Sequence, residues 1–289
     1  MTASPTTVAA PERIDQQAYW NGTAGHKWTD LQDTLDTTFA PVLRALLTRA
    51  AVRSGERVID IGCGCGASSL ELARLVGASG EVLGVDISAE MLERARQRAG
   101  ATLPLRYELG DAATFAFPRG TTDLLFSRFG VMFFAEPVAA FRNLAAALKP
   151  GGRLTFACWR TPRENPFFIT ALQEAIRFVP RLPETPPDEP GPFAFASPDR
   201  VRRILGDAGF SSIAVDPFDC DLDLAGGCGL SHARTMALSV GPASRALDGH
   251  PAETVEAAAA AIEARLQQHL RGDSVPLAGA MWIVTATKG

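Results

Sequence analysis

Three carboxylates stand at or near the ends of three expected strands, and their spacing is the part of this 289-residue chain that could do chemistry. Asp60 lies within Val58-Ile59-Asp60-Ile61-Gly62-Cys63-Gly64-Cys65-Gly66, Asp86 ends the run 81–85, and Asp111 stands in Gly110-Asp111-Ala112. Glycine at alternate positions lets the main chain adopt angles other residues avoid, and lets a ligand lie against it with no Cβ between. The helix expected over residues 67–76 then offers unpaired N–H groups and a partial positive charge to anionic ligand groups. A carboxylate at the tip of the second strand, some 20 residues past the last glycine, can accept both hydroxyls of a ribose. An acid after a third strand, residues 105–109, can accept from an adenine amino group. Together they describe a grip on a nucleoside.

NAD and S-adenosylmethionine (SAM) both present that nucleoside, and two features separate them. The loop is Gly-x-Gly-x-Gly led by Asp60, not the Gly-x-Gly-x-x-Gly of the dinucleotide fingerprint. Asp111 is also left without a role by a dinucleotide. The order Val58 to Gly66, Val85-Asp86-Ile87-Ser88, Gly110-Asp111-Ala112, Thr122-Asp123-Leu124-Leu125-Phe126-Ser127 and Leu148-Lys149-Pro150-Gly151-Gly152-Arg153-Leu154 resembles that of class I SAM-dependent methyltransferases. The nearest likeness is to the small-molecule group typified by the ubiquinone/menaquinone-biosynthesis C-methyltransferases. It is strong over residues 15–160 and loose beyond.

That resemblance implies SAM as cofactor, S-adenosylhomocysteine as product and a small-molecule acceptor. Gly62, Cys63 and Gly64 would run along the methionine part, with Asp60 orienting the loop. Asp86 would hold the ribose, Ile87 and Met91 would lie near the adenine, and Asp111 with the Ala112 N–H would read the adenine edge. Ser127 and Arg128 would sit by the methionyl portion through the strand-end backbone. An N-terminal arm would close over the cofactor, with Tyr19 and Trp28 as walls, because an aromatic face attracts the sulfonium. Three aromatics within residues 19–28 suit ordinary packing equally well.

These residues need a frame. Strands are expected at 57–61, 81–86, 105–109, 122–129, 153–159, 212–224 and 280–287. Helices fill 39–51, 67–76, 89–98, 138–148, 165–179, 198–208, 230–240 and 252–270. Strand and helix alternate as in a doubly wound α/β sheet. The resemblance adds a seven-stranded, mostly parallel sheet with an antiparallel last strand. The organisation expected is a disordered segment 1–11, a lid segment 12–35, a SAM-binding core 36–160, and a loop, helix and sixth strand over 161–225. Residues 226–278 form a helical insertion, either a cap or a plain packing pair, and 279–289 carry the last strand. The proline-rich residues 180–198 should be an extended loop.

Composition narrows the function. A net charge of −4 with no lysine or arginine run argues against nucleic acid, and no apolar run is long enough to span a bilayer. The N-terminus lacks a signal-peptide pattern, so the chain is expected in the cytoplasm. Cys63 and Cys65 have no nearby ligand partners and read as loop-lining residues, not a metal site. The fourth strand runs into Phe129-Gly130-Val131-Met132-Phe133-Phe134, with no Asp/Asn-Pro-Pro-aromatic motif, no carboxylate at 127–130 and no Pro-Cys nucleophile. An apolar rim of that kind suits an uncharged or aromatic organic acceptor. No residue is assigned as catalytic; His26 and His232 are the candidate bases. A non-catalytic SAM-binding regulator shares every cofactor motif, and a NAD-dependent oxidoreductase is the more distant alternative.

Overall fold

The computed structural model describes residues 15–100, 102–183 and 186–289; the segment 1–11, expected to be disordered, lies outside them. In chain order the elements are α1 (Gln16–Trp20), α2 (Thr23–Asp30), α3 (Gln32–Ala50), β1 (Arg57–Ile61), α4 (Ala67–Val76), β2 (Glu81–Asp86), α5 (Ala89–Ala99) and β3 (Leu105–Leu109). Then follow β4 (Thr122–Arg128), α6 (Pro137–Ala147), β5 (Leu148–Trp159), α7 (Pro166–Ala175), α8 (Pro198–Asp207) and β6 (Phe210–Asp223). Helices α9 (Leu230–Ser239), α10 (Pro242–Leu247) and α11 (Ala252–Gln267) precede the last strand, β7 (Pro276–Lys288). The strand order is β3-β2-β1-β4-β5-β7-β6, parallel from β3 through β5, with β7 antiparallel to both neighbours. This is the doubly wound, seven-stranded sheet expected.

The sheet's central strands β1, β2 and β4 are buried along most of their length because helices cover both faces. Phe156 and Trp159 stand three apart on β5 and so point to opposite sides. Phe156 meets Phe141 of α6, with ring centroids 5.8 Å apart, while Trp159 meets Phe39 of α3 at 6.1 Å. Local chemistry sets several boundaries. Ser88 caps α5 by accepting from the Met91 N–H at 3.4 Å, and Gly100 ends that helix at φ +63°. Prolines 137, 166 and 198 sit in first helical turns, where the missing N–H has no partner to lose.

Several elements differ from expectation, among them α1 and α2, which make helices of a segment expected only as a lid. Helix α3 begins at Gln32, not residue 39, so Pro41 lies in its interior. The buried face of Leu35, Thr38, Phe39, Val42 and Leu46 offsets a penalty of about 3 kcal/mol for the internal proline. Strand β5 begins at Leu148, so the expected turn 149–152 is an irregular start to the strand. Leu148 pairs with Thr122, the register shifts before Leu124, and Gly151 takes up the distortion at φ +74°. Helix α10, six residues between Gly241 and Gly249, was not expected at all. Residues 180–197 carry no helix or strand wherever they are described.

Candidate functional site

The glycine loop links β1 to α4 under the end of β4. The Gly62 and Cys63 N–H groups both donate to Val85 O, at 2.9 and 3.3 Å, so the loop is tied to β2. A Cβ on Gly62 would stand 2.6 Å from the Gly130 Cα, so that glycine is required by the backbone crossing. Gly64, at φ +54°, has only the Met91 sulfur at an ordinary 3.7 Å beside the same position. Gly64 is therefore the position left open to a ligand.

The three acids occupy neighbouring strand ends but different surroundings. Asp60 is wholly buried. Its Oδ2 accepts from the Ser68 and Ser69 hydroxyls at 2.7 and 2.6 Å, which fixes the start of α4, while its buried Oδ1 has no partner among the described residues. Burial pushes its pKa up to about 6, against the opposing pull of the two serines and the Arg128 charge. Asp86 is also buried, and burial raises its pKa despite the backbone N–H groups that face it. Its Oδ2 accepts from Gly64 N–H at 2.7 Å and its Oδ1 from Ser88 N–H at 2.9 Å. Each oxygen keeps a further lone pair for a hydroxyl. Asp111 is exposed and accepts from Ala113 N–H at 2.8 Å, closing the turn after β3. Ala112 beside it is buried.

The remaining expected residues divide between main-chain and side-chain roles. The Cys63 thiol packs with Leu92, Ala95 and Tyr107, so only its backbone can meet a ligand, and burial holds the thiol well above its usual range. Met91 is buried against the loop, while half-buried Ile87 offers its carbonyl to Asn21 Nδ2 at 2.9 Å. The Ser127 hydroxyl donates to Ile61 O at 2.8 Å and accepts from Gly130 N–H at 3.0 Å, joining the ends of β4 and β1. The Arg128 guanidinium lies 5.7 Å from the centre of the Phe39 ring, and its buried Nη1 has no partner among the described residues.

Beyond Arg128 the character changes to aromatic. Phe129 has φ +70°, a left-handed angle that costs a side-chain-bearing residue about 1–2 kcal/mol. Its ring stacks on Trp159, with centroids 4.4 Å apart and planes 4° apart. Trp159 stacks in turn with Phe167 at 6.1 Å and meets Phe168 edge-on at 4.7 Å. Phe39 contacts Phe129, Trp159 and Phe167, and Trp28 lies over Phe39 at 6.3 Å. From the arm it is Trp20, not Tyr19, that reaches Phe133, at 5.3 Å; Tyr19 touches only the outer edge of Trp20 in this row. Sequence reasoning missed Trp20, Phe39, Trp159 and Phe167. The placing of Trp159 at the end of a core strand was the one available signal.

Helices α1 and α2 are fastened over this region. Asn21 Nδ2 donates to Ile87 O while its Oδ1 accepts from Ala89 N–H at 3.0 Å, so one side chain grips the start of α5. His26 pairs with Glu90 on the exposed side of the arm, and Lys27 Nζ donates to Ser244 of α10 at 3.2 Å. His232 shares a hydrogen bond of 2.6 Å with Thr34 of α3. Two surface cavities lie away from the glycine loop. One of about 520 Å³ is lined by Arg119, Arg142 and Lys288, and one of about 400 Å³ by Phe193, Pro187 and Trp282.

Such a donor set fits SAM: an open glycine beside a strand-tip carboxylate, with unpaired buried polar atoms on Asp60 and Arg128 at the ends of β1 and β4. Residues 58–152 match the methyltransferase-domain family model. Fold, motif order and this match make the chain a class I SAM-dependent methyltransferase. It is similar to the ubiquinone/menaquinone biosynthesis C-methyltransferase UbiE of Cronobacter sakazakii, with 26% identity over 219 residues that cover 72% of this chain and 87% of UbiE. Its fold is shared by the YcgJ protein of Bacillus subtilis, with a TM-score of 0.55, 18% identity and coverage of 85% and 97% of the two chains. Phosphoethanolamine N-methyltransferase 2 of Haemonchus contortus shares it too, at TM-score 0.58 and 18% identity over 96% of this chain and 61% of that one.

Proposed function

We propose that the chain transfers the methyl group of SAM to a small apolar or aromatic organic acceptor. The observation that carries this reading is the largely buried aromatic cluster of Phe39, Phe129, Trp159 and Phe167, which begins one residue past Arg128 at the end of β4. A flat, uncharged acceptor gains contact against such rings at little desolvation cost, whereas a hydrated or highly charged one would lose water without replacement. The UbiE relative points the same way, toward a small molecule.

Bound SAM supplies an electrophilic methyl on a sulfonium. The protein's work is to hold donor and acceptor in line, and most of the acceleration can come from that alignment. In this reading Gly64 and the Cys63 backbone bed the donor, and the free lone pairs of Asp86 receive the ribose hydroxyls. Asp111 and the Ala112 backbone meet the adenine, flanked by Ile87 and Met91. The arm, through Trp20 and Trp28, excludes water from the methyl. Helices α9 to α11 cap the acceptor side. His26 faces outward to Glu90, which makes it a poor base, and no general base is assigned.

No helix among the described residues is long and apolar enough to cross a membrane. A cytoplasmic enzyme acting on a small molecule, with no nucleic-acid partner, is the setting this reading implies. Turnover of methyl-labelled SAM against phenols, quinone precursors and aliphatic or aromatic amines tests it. Methylation confined to flat aromatic acceptors is the expected result. Preferred methylation of charged aliphatic amines would overturn the acceptor class, and tight SAM binding with no product across the panel would favour a regulator.

A further inference from the structure

The cavity of about 520 Å³ takes no part in the chemistry proposed above. Its cations are Arg119, just ahead of β4, Arg142 on α6 and Lys288 at the end of β7. β6 runs parallel to β5, since both are antiparallel to β7. The starts of β4, β5 and β6 and the end of β7 therefore share the sheet edge opposite the glycine loop. No Asp or Glu side chain lines the cavity. Arg142 Nη2 donates to Asp207 O at 2.9 Å and Lys288 Nζ to Leu148 O at 2.7 Å, both main-chain carbonyls without formal charge. The Arg119 guanidinium has no hydrogen bond or ion pair among the described residues. Two other cations of this edge are answered by carboxylates, Lys149 by Asp123 and Arg153 by Glu56. The three that line the cavity are not.

Between these cations the wall is made of small residues, three alanines of α6 and Ala208 at the end of α8. We propose that the cavity binds a soluble, phosphate-bearing small molecule, its phosphate held by Arg119, Arg142 and Lys288 and its organic part lying on the alanines. Three cations exceed what one carboxylate can answer, whereas a phosphate monoester brings a charge of about −1.5 to −2 and three acceptor oxygens. The two guanidiniums are planar forks that match phosphate oxygens, and the lysine adds a point charge. The volume is that of a site for an organic ligand, and a bare ion would leave most of it to water. Such binding depends on neither the donor nor the acceptor region.

Calorimetry at fixed ionic strength with inorganic phosphate and butyl phosphate tests this. Butyl phosphate should bind several-fold tighter, because its chain covers the alanines. Arg119→Gln alters a side chain that holds nothing else, and should weaken butyl phosphate about tenfold, the scale of losing a charged hydrogen bond. R119Q combined with R142Q should abolish binding. Arg44→Gln, at an exposed position of α3 outside the cavity, should change it less than twofold, and saturating S-adenosylhomocysteine should not displace it. No binding to the wild-type chain, equal affinity for the two phosphates, equal loss in R44Q, binding that survives the double variant, or displacement by S-adenosylhomocysteine each overturns the assignment. Sedimentation with phosphatidic-acid vesicles separates a free phosphate from a lipid headgroup. The chain should stay in solution; capture that the double variant loses would place the phosphate on a membrane and overturn the soluble ligand.

Discussion

The glycine-loop region and the aromatic cluster beyond β4 are built by opposite strategies. The first, the donor side in the function proposed above, is compact in sequence: residues 58–112 supply the glycine loop and the three acids, and their contacts run through backbone amides such as Gly64 and Ser88. The second, the proposed acceptor side, is assembled from Trp28, Phe39, Phe129, Trp159 and Phe167, which come from four separate elements and the turn after β4. A ligand common to all such enzymes can be recognised by main chain and a few fixed charges. An acceptor particular to one enzyme is read by side chains that packing alone brings together. The first region must be ionised correctly; the second must be shaped correctly.

Substitutions can break or sharpen this contrast. Trp159→Ala should have the largest effect, because a nearly fully buried ring stacked on two others is lost. A destabilisation of about 3–5 kcal/mol in urea is expected, with turnover falling far more than SAM affinity. Equal loss of SAM binding in protein still folded would show that the two sides are not separable.

Asp60 gives the next effect, and its sign is specific. Its folded pKa of about 6 lies above the 3.8 of an ordinary aspartate, so between those values the folded chain keeps a proton that the unfolded chain has lost. Stability from this group is present below about pH 4 and falls as pH rises through about 6. The total fall is about 2–3 kcal/mol, and it should be missing from Asp60→Asn. Urea midpoints of both proteins across pH 4–7 check this. Parallel curves would place the burden of burial elsewhere.

At residue 129 the usual ranking of alanine over glycine should invert. Both variants lose the ring, but Phe129→Gly relieves the φ +70° angle and should be more stable than Phe129→Ala by about 1 kcal/mol. Thermal melts of the two proteins decide it; the ordinary ranking would mean the turn relaxes on substitution. The smallest effect is expected on the arm. Asn21→Ala removes two hydrogen bonds to the start of α5 and should weaken SAM binding by about 1 kcal/mol. Faster amide exchange over residues 16–30, with the exchange of β1 unchanged, is the direct readout.

How much was legible beforehand differs between the two sides for the same reason. β1, α4, β2, β3 and α5 have the boundaries their residues announce, since the glycine turn, the Ser88 cap and the Gly100 stop are local signals. Pro41 gave a misleading local signal, which tertiary burial of the α3 face overrode. The irregular start of β5 was hidden because Lys149-Pro150-Gly151-Gly152 has the composition of a turn, and only pairing with β4 made it strand.

The sequence alone carried the family resemblance, the cofactor it implies and the succession of strands and helices, because alternating glycines and strand-tip acids act through backbone geometry over a few residues. Only the tertiary structure decided that Gly62 is occupied with Gly130 while Gly64 is open, that Asp60 is interior and Asp111 is not, and that rings far apart in the chain stack at the end of β4. Burial and stacking depend on what else arrives at the same place, and no local spacing encodes that.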